Sequence, residues 1–309
     1  MWTIIFKRLL SIKLCYTLNM KLIFTLLFFS KLLFAHNVTL EILGSGGPEI
    51  DGRASTSYLL WIDNKAKLIV DMESGAMLRF EQENAQLETL EAVVLTHLHI
   101  DHSVDLPAFI KAGYFSKRRE SLDIIAPFGN EAFPSIKEFL HGLFGVHGVY
   151  RYMSDVLSPN SDSFEIIPIA INAPTLIRRK YPSFTLQLIN THHGIVPALA
   201  LAILVDGKKI VISGDSNDKA KHLERLAKDA DLFIAHHAVP QQSNKFAKDL
   251  HMSPSIIANI AQNSHVKKVV LTHRMRRTLG KEEESLGVIR EVYKGVVVFG
   301  EDRMKVKLK

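Results

Sequence analysis

The stretch VVLTHLHIDHSVDLP, residues 93–107, places three histidines and an aspartate within six consecutive positions, directly after an apolar run. A short apolar run rich in valine is typical of a buried strand. His97, His99, Asp101 and His102 therefore follow the carboxyl end of that strand. Neutral imidazole and carboxylate are ligands of zinc, iron and manganese, so the stretch predicts a metal site.

Three other apolar runs also end in possible metal ligands. FTLQLINT is followed by His192 and His193, KKIVISG by Asp215, and KKVVLT by His273. With the first stretch, and with one of the adjacent His192 and His193, this gives seven ligands, more than the three or four that one zinc ion takes. We therefore expect two ions, with His97 and His99 on one, Asp101 and His102 on the other, and a bridging carboxylate such as that of Asp215.

The apolar strands and helical patterns alternate throughout residues 36–309, with no linker or repeat that divides them. Two sheets, each flanked by helices, are the natural way to bury this many apolar strands. The patterns predict strands at about 164–172, 183–190, 198–205 and 208–213, and helices at about 103–113, 129–142, 217–229, 253–263 and 281–293.

THLHIDH resembles the T-H-x-H-x-D-H signature of the metallo-β-lactamase superfamily. Further motifs follow in that superfamily's order over residues 38–309: LIVDMESG with Asp71, HHGIVPALA with His193, SGDS with Asp215 and LTHRM with His273. The resemblance implies an α/β fold, a four-layer αββα sandwich with a dinuclear site at one edge.

The resemblance also implies a ligand assignment. His97, His99 and His193 are expected on the first metal, Asp101, His102 and His273 on the second, and Asp215 between them. His192 competes with His193, which we prefer because it directly precedes a glycine. Asp71 is expected to orient the ligand imidazoles. The cofactors implied are two divalent ions, Zn²⁺ first, with Mn²⁺ or iron as alternatives.

GSGGPEIDGRASTSYLL, IIAPFG, HGIVPALALAI and SGDS resemble the ribonuclease Z and arylsulfatase-like branch of the superfamily. This implies a zinc-dependent hydrolase in which a bridging hydroxide cleaves a phosphodiester or a sulfate ester. Carboxyl-ester, lactone or β-lactam hydrolysis is the alternative. A di-iron oxidoreductase and a non-catalytic metal-binding protein are the more distant ones.

Several residues are candidates for supporting roles. Asp101 is expected to orient the nucleophile, and His251 in LHMSP or His237 to protonate the leaving group. Arg274 and Arg277 in HRMRRT follow a ligand and are candidates for binding an anionic substrate; the alternative is a solvated basic turn. The chain departs from ribonuclease Z where His236 and His237 replace a histidine–glutamate pair, and it shows no glycine-proline-rich arm.

The charge distribution separates the N-terminus from the rest of the chain. Residues 1–35 carry five basic residues and no acid, whereas the remainder has 33 basic and 32 acidic residues. A net charge of +1 gives little support for a nucleic-acid surface. We therefore expect a small-molecule or anionic ester substrate, no strong nucleic-acid signature, and membrane contact only through the N-terminal segment; a homodimer is left open.

Residues 1–35 are predicted to be a signal peptide. MKLIFTLLFFSKLLFAHN combines a basic start, an apolar core and Ala35 at a cleavage position, and Met20 is an alternative start. This predicts export to the periplasm or secretion; the alternative, an uncleaved anchor, requires an apolar stretch of about 20 residues, longer than the one present. The single cysteine, Cys15, lies in this segment, so residues 36–309 offer no disulfide and no thiolate ligand.

Overall fold

A computed structural model describes residues 36–308 of the chain, so the predicted signal peptide lies outside the described residues. The strands are β1 (Val38–Gly44), β2 (Ser57–Ile62), β3 (Lys65–Val70), β4 (Ala92–Val94), β5 (Leu122–Pro127), β6 (Ile166–Ile171), β7 (Ile177–Lys180), β8 (Thr185–His193), β9 (Val196–Val205), β10 (Lys208–Ile212), β11 (Leu232–His236), β12 (Lys268–Thr272), β13 (Val296–Phe299) and β14 (Met304–Leu308). They form two sheets, in the orders β14-β1-β2-β3-β4-β5-β6 and β13-β12-β11-β10-β9-β8-β7.

Helices connect the strands and cover the sheets. They are α1 (Ala76–Gln82), α2 (Ile100–Ser103), α3 (Leu106–Gly113), α4 (Ile136–Phe144), α5 (Leu223–Ala227), α6 (Lys245–Leu250), α7 (Pro254–Asn263) and α8 (Glu282–Val292). Short 3-10 turns lie at Leu87–Thr89, Arg151–Leu157 and Arg276–Thr278. Across residues 36–308, none of the helices combines the length and the apolar character needed to cross a bilayer.

Three apolar clusters define four layers. The central cluster joins residues of both sheets, such as Leu40 of β1 and Leu201 of β9. The second lies between the first sheet and α1, α3 and α4, and the third lies between the second sheet and α5, α7 and α8. Alternation along β9 shows how the sequence builds these layers, because Leu201 faces the central cluster while Ala200 and Ala202 face the helices. The predicted αββα sandwich is confirmed.

The topology brings several strand ends to one edge of the sandwich. Strands β3 to β6 are parallel, and so are β10 to β13. Parallel neighbours end at the same edge of a sheet, and ligand sites of α/β proteins lie beyond the carboxyl ends of their strands. The residues that follow β3, β4, β10, β11 and β12 are therefore close together.

The structure differs from the predicted elements where turns interrupt them. The helix expected at 129–142 begins only at Ile136, because Ser135 caps it and forms a capping box with Glu138. The helix expected at 217–229 is reduced to α5, since Asp218 and Lys221 adopt a positive φ. Strands β7 (IRRK) and β14 (MKVKL) were not predicted because their alternating charges hide the apolar pattern.

Candidate metal centre

The histidine-rich motif lies between β4 and α3, at the edge where the strands end. His97 follows β4 and is fully buried, whereas His99 is half-buried. The short helix α2 begins after His99 and carries Asp101 and His102 on its first turn. His97 Nε2 lies 3.0 Å from His99 Nδ1, so the two rings present nitrogens to the same point.

Asp71, the residue after β3, holds this motif in place. One carboxylate oxygen accepts a hydrogen bond from the Thr96 amide at 2.6 Å. The other accepts from the Thr96 hydroxyl and lies 2.9 Å from His102 Nδ1. With Nδ1 bound to this carboxylate, His102 directs Nε2 towards the site, an arrangement that commonly orients metal-ligating histidines.

The second sheet supplies the opposite wall of the site. His193 ends β8, and its Nδ1 lies 2.9 Å from the Leu250 carbonyl oxygen, which turns Nε2 inward. Asp215 follows β10, and His273 follows β12. His273 has a φ of 52° and Asp71 a φ of 62°, so both walls hold a residue in the left-handed region that non-glycine residues seldom adopt.

Asp215 lies at the centre of the cluster. Its Oδ2 is 3.7 Å from His193 Nε2, 3.7 Å from His251 Nδ1 and 3.8 Å from His102 Nε2. Its Oδ1 is 3.5 Å from His273 Nε2. One carboxylate therefore faces imidazoles of both walls, as expected for a bridging ligand.

His236, at the end of β11, is part of the site although the sequence reading gave it no role. Its Nδ1 lies 2.7 Å from Asp215 Oδ1, and its Nε2 lies 2.9 Å from the Tyr58 hydroxyl. Tyr58 in turn contacts the Thr272 hydroxyl at 2.6 Å. The rule that located the other ligands, a donor at the end of an apolar strand, also fits LFIAH and would have located His236.

The electrostatics of the cluster favour neutral imidazoles and ionised carboxylates. Burial, reinforced by the neighbouring His102, lowers the pKa of His97 well below its ordinary value. Burial opposes ionisation of Asp215, but His273, His251 and His236 outweigh it and hold its pKa well below the ordinary value. These are the protonation states in which imidazole and carboxylate bind metals.

His102 is the exception among the imidazoles. Burial lowers its pKa, but the carboxylates of Asp71, Asp215 and Asp101 outweigh burial and raise the pKa to about 9. Asp101 responds in the opposite direction: burial raises its pKa, but His273 and His102 bring it down to about 2. The metal-free site therefore holds a proton on His102 that a cation would displace.

Unpaired buried nitrogens provide a test of whether these residues fit a metal. Within residues 36–308, His102 Nε2, His251 Nδ1 and both ring nitrogens of His273 are buried without a hydrogen-bond partner. Buried polar atoms usually have partners, so such a concentration calls for another bonding group. The groups whose donor atoms all lie within 4.8 Å of one another are His97–His99–His193, His97–His102–Asp215, Asp101–His102–His273, His193–Asp215–His251 and Asp215–His236–His273. The donor set fits divalent cations.

Two residues that the sequence made candidates lie outside the cluster of donor atoms. His237 follows His236 directly and points to the opposite side, where its Nε2 lies 3.1 Å from the Ser285 hydroxyl on α8. It belongs to none of the donor groups, so it is not placed to protonate a leaving group. His192 likewise alternates with His193 along β8 and is absent from the donor groups.

His251, the other predicted proton donor, does lie in the site. It follows α6, and its Nδ1 belongs to the group with His193 and Asp215. Burial, which outweighs the opposing charge of Asp215, lowers its pKa to about 3. An imidazole that is neutral at pH 7 suits a metal ligand better than a proton donor.

The two arginines differ in their availability. Arg274 forms an ion pair with Glu282, and its guanidinium lies 4.5 Å from the centre of the Phe299 ring, so it is not available to a substrate. Arg277 donates from Nε to the Ala238 carbonyl oxygen at 2.6 Å. Its charge adds a small contribution to the lowered pKa of His251, after burial and the neighbouring histidines.

Comparison with known proteins adds relatives over most of the chain. The family model described as Anti-Pycsar protein Apyc1 matches residues 38–292. Ribonuclease Z of Mycobacterium bovis is 27% identical over 290 residues, which cover 87% of this chain and 98% of the relative. Ribonuclease Z of Methanosarcina acetivorans is 23% identical over 301 residues, which cover 87% and 97%.

Solved structures share the fold. The metallo-beta-lactamase fold protein YhfI from Bacillus subtilis superposes with a TM-score of 0.70 at 19% identity, covering 88% of this chain and 99% of that one. The short form of human tRNase Z gives a TM-score of 0.63 at 20% identity, with 87% and 98% covered. The predicted resemblance to the metallo-β-lactamase superfamily and its ribonuclease Z branch is confirmed.

One prediction is wrong. The near-neutral charge of residues 36–309 led us to expect a small-molecule or anionic ester substrate without a nucleic-acid signature, yet the relatives are named ribonuclease Z and tRNase Z. The physical reason is that a high net positive charge is expected only where many phosphates contact basic side chains spread over a surface. A buried metal centre can recognise a single phosphate without altering that balance.

Proposed function

The chain belongs to the family described as Anti-Pycsar protein Apyc1 and is a metal-dependent hydrolase of the metallo-β-lactamase fold, and from this premise we propose that it cleaves a phosphodiester bond of a nucleotide substrate with two divalent ions, Zn²⁺ first. The observation that carries the proposal is the pair of donor groups His97–His99–His193 and Asp101–His102–His273. Asp215 adjoins both groups.

The proposed ligands follow from this arrangement. The first group would hold one ion and the second group the other, and Asp215 faces His193 with Oδ2 and His273 with Oδ1. His251 and His236 are buried and belong to two further donor groups that include Asp215. Nitrogen and oxygen donors without thiolate suit zinc, manganese and iron alike, so the identity of the ion is decided by measurement.

Two divalent ions bound there would lower the pKa of a water molecule and offset charge on a phosphoryl oxygen. The overall hydrolysis forms a bond from a water oxygen to phosphorus and breaks one ester P–O bond, and a proton of that water passes to the leaving oxygen. Asp71 keeps His102 oriented while this happens. Asp101 is partly exposed and lies 3.6 Å from His273 Nε2, a position from which its carboxylate orients the attacking water.

The ribonuclease Z relatives support a phosphodiester rather than another ester, because the bond that a ribonuclease cleaves is a phosphodiester between ribonucleotides. Sulfate-ester hydrolysis is the second candidate. It rests on the same donors and on the arylsulfatase-like motif SGDS, which contains Asp215. The two are separated by assays of a phosphodiester and a sulfate ester that release the same leaving group.

The test begins with the metal-loaded protein and the 4-nitrophenyl esters of phosphoric, sulfuric and acetic acid, with bis(4-nitrophenyl) phosphate as the phosphodiester. A short RNA with a 3′ extension and a cyclic ribonucleotide complete the panel. Turnover of the phosphodiester and of one nucleotide substrate is expected. Turnover of the sulfate or acetate ester alone contradicts the proposal.

Asp215→Ala is the critical variant. Loss of the central carboxylate is expected to lower the bound metal per chain and to reduce turnover by more than about 100-fold, the upper end of the loss seen when a residue supporting a ligand is removed. His265→Ala is the matched control, because His265 is an exposed histidine outside the donor groups. Wild-type metal content and activity in Asp215→Ala contradict the bridging assignment.

A further inference from the structure

Phe133 is an aromatic side chain placed beside a predicted metal ligand. Its ring centre lies 5.7 Å from that of His99, with the two planes inclined by 59°. Both residues are half-buried, so the Phe133 ring keeps part of its surface open. An open aromatic ring beside a cation-binding cluster offers a flat apolar surface next to the expected position of a phosphate.

The loop that carries Phe133 is fixed by Asn130. The Asn130 side-chain oxygen accepts hydrogen bonds from the backbone amides of Ala132 and Phe133, both at 2.9 Å. The backbone N–H of Asn130 donates to the Phe133 carbonyl oxygen at 2.8 Å. The side-chain nitrogen of Asn130 donates to the Ile195 carbonyl oxygen at 2.8 Å. Asn130 thereby ties the Phe133 loop to the turn that follows His193.

Exposed aliphatic side chains lie on the same two motifs. Ile100 directly follows His99 and is 76% exposed, and Ile195 in the turn after His193 is 74% exposed. Neither is needed for the core. A nucleotide joins an anionic phosphate and a flat base through one sugar, which matches a cation-binding cluster with an adjoining apolar rim.

We propose that Phe133 is the stacking platform for the nucleobase next to the scissile phosphodiester. The assignment rests on the proposed function and makes it specific, since it requires the substrate to carry a base at this position. Stacking on aromatic rings is the common way in which proteins bind unpaired bases, and it is tolerant of base identity. Asn130 acts as a positioning residue that holds the platform in place.

The experiment compares two chromogenic phosphodiesters with the same leaving group: the 4-nitrophenyl ester of thymidine 5′-monophosphate and methyl 4-nitrophenyl phosphate. Phe133→Ala is expected to lower kcat/KM about tenfold or more for the thymidine ester. Removing an aromatic ring on which a base stacks weakens binding of that base by about this factor. The methyl ester is expected to change by less than about twofold. Phe133→Trp is expected to retain the preference for the thymidine ester.

Two controls separate stacking from a structural role. Phe115→Ala removes an exposed phenylalanine whose ring lies 5.5 Å from Lys111 Nζ, and it is expected to leave both substrates unaffected. Bound metal is measured in every variant. An equal loss on both esters together with reduced metal content overturns the proposal, since Phe133 would then act through His99; no loss on either ester overturns it as well.

Failure of the proposed function gives a different result. If the metal-loaded wild type hydrolyses neither ester, the phosphodiesterase proposal fails. Nucleotide affinities measured by calorimetry then test whether Phe133 binds a nucleobase. Wild type is then expected to bind uridine 5′-monophosphate about tenfold more tightly than Phe133→Ala, with equal affinities of both for inorganic phosphate. Equal affinities of the two proteins for the nucleotide overturn the platform.

Discussion

Asp71 shows how a residue without a donor atom in the cluster determines the site. Its two carboxylate oxygens serve the amide and hydroxyl of Thr96 and the ring of His102, so one side chain fixes both the strand end and a proposed ligand. Its left-handed backbone conformation is tolerated by aspartate at low cost.

Replacing Asp71 by asparagine tests this support. An amide cannot accept hydrogen bonds at both of its heavy atoms, so either the Thr96 amide loses its acceptor, or the Thr96 hydroxyl and the His102 ring, which share one oxygen, lose theirs. Metal affinity is expected to fall about 10- to 100-fold in a competition titration. Asp105→Asn is the matched control: the Asp105 carboxylate binds the Gly75 and Met77 amides at the start of α1, and its loss is expected to spare metal affinity. Similar losses in the two variants would contradict the assignment.

The proton on His102 makes metal binding depend on pH. In the metal-free protein its pKa is raised from 6.5 to about 9, so the ring is protonated at pH 7 and a cation must displace that proton. Apparent affinity is therefore expected to keep rising up to about pH 9, whereas a histidine of ordinary pKa would stop contributing near pH 6.5. Competition titrations at pH 6.5, 7.5 and 8.5 measure this. A plateau above pH 7 rules out the raised pKa, and Asp71→Asn should shift the plateau to lower pH.

At the scale of elements, strand ends explain both the success and the limits of sequence reading. His97, His193, Asp215 and His273 were found because each follows an apolar strand, and parallel neighbours end at one edge. His237 was misread because a period of two places it opposite His236.

Loops carry no such periodicity. Asn130 and Phe133 were therefore placed in a predicted helix, and their contacts with Ile195 and His99 depend on chain segments that only the fold brings together. The same holds for Tyr58 of β2, whose hydroxyl meets His236 across the two sheets.

Strand β1 carries a buried carboxyl that makes the sandwich sensitive to pH. Glu41 is fully buried; one carboxylate oxygen accepts a hydrogen bond from Trp61 Nε1 at 2.7 Å, and Lys305 Nζ lies 3.6 Å from the other. Burial, only partly offset by Trp61 and Lys305, raises its pKa to about 7. Folding therefore favours the protonated form of Glu41. The contribution of Glu41 to the free energy of unfolding is fully present below pH 4.5 and is lost as the pH rises through 7.

Glu41→Gln removes this ionisation. The variant is expected to exceed the wild type in free energy of unfolding by about 1 to 3 kcal/mol at pH 8, since one pKa unit corresponds to about 1.4 kcal/mol. At pH 4.5 the two proteins should differ little. Denaturant titrations at both pH values measure the difference, with exposed Glu131→Gln as the control. A difference that is the same at both pH values argues against a titrating Glu41.

At the scale of the whole molecule, the proposed ligands come from both sheets. His97, His99, Asp101 and His102 follow β4 of the first sheet, whereas His193, Asp215 and His273 follow strands of the second. A metal bound by these residues links the two halves of the sandwich. Since the unfolded chain does not hold these residues together, binding free energy adds to the free energy of unfolding.

Metal removal is therefore expected to destabilise the entire sandwich. Ligand at about 1,000 times its dissociation constant contributes about 4 kcal/mol, which for a domain of this size corresponds to a fall in Tm of roughly 10 °C after chelation. Scanning calorimetry with and without chelator measures the change, and added Zn²⁺ should restore the original Tm. Asp215→Ala should show a lower Tm and a smaller response to both treatments, whereas His265→Ala should respond like the wild type. If chelation leaves the Tm of the wild type unchanged, the ions do not join the two sheets, because a ligand held by both must be released before they separate.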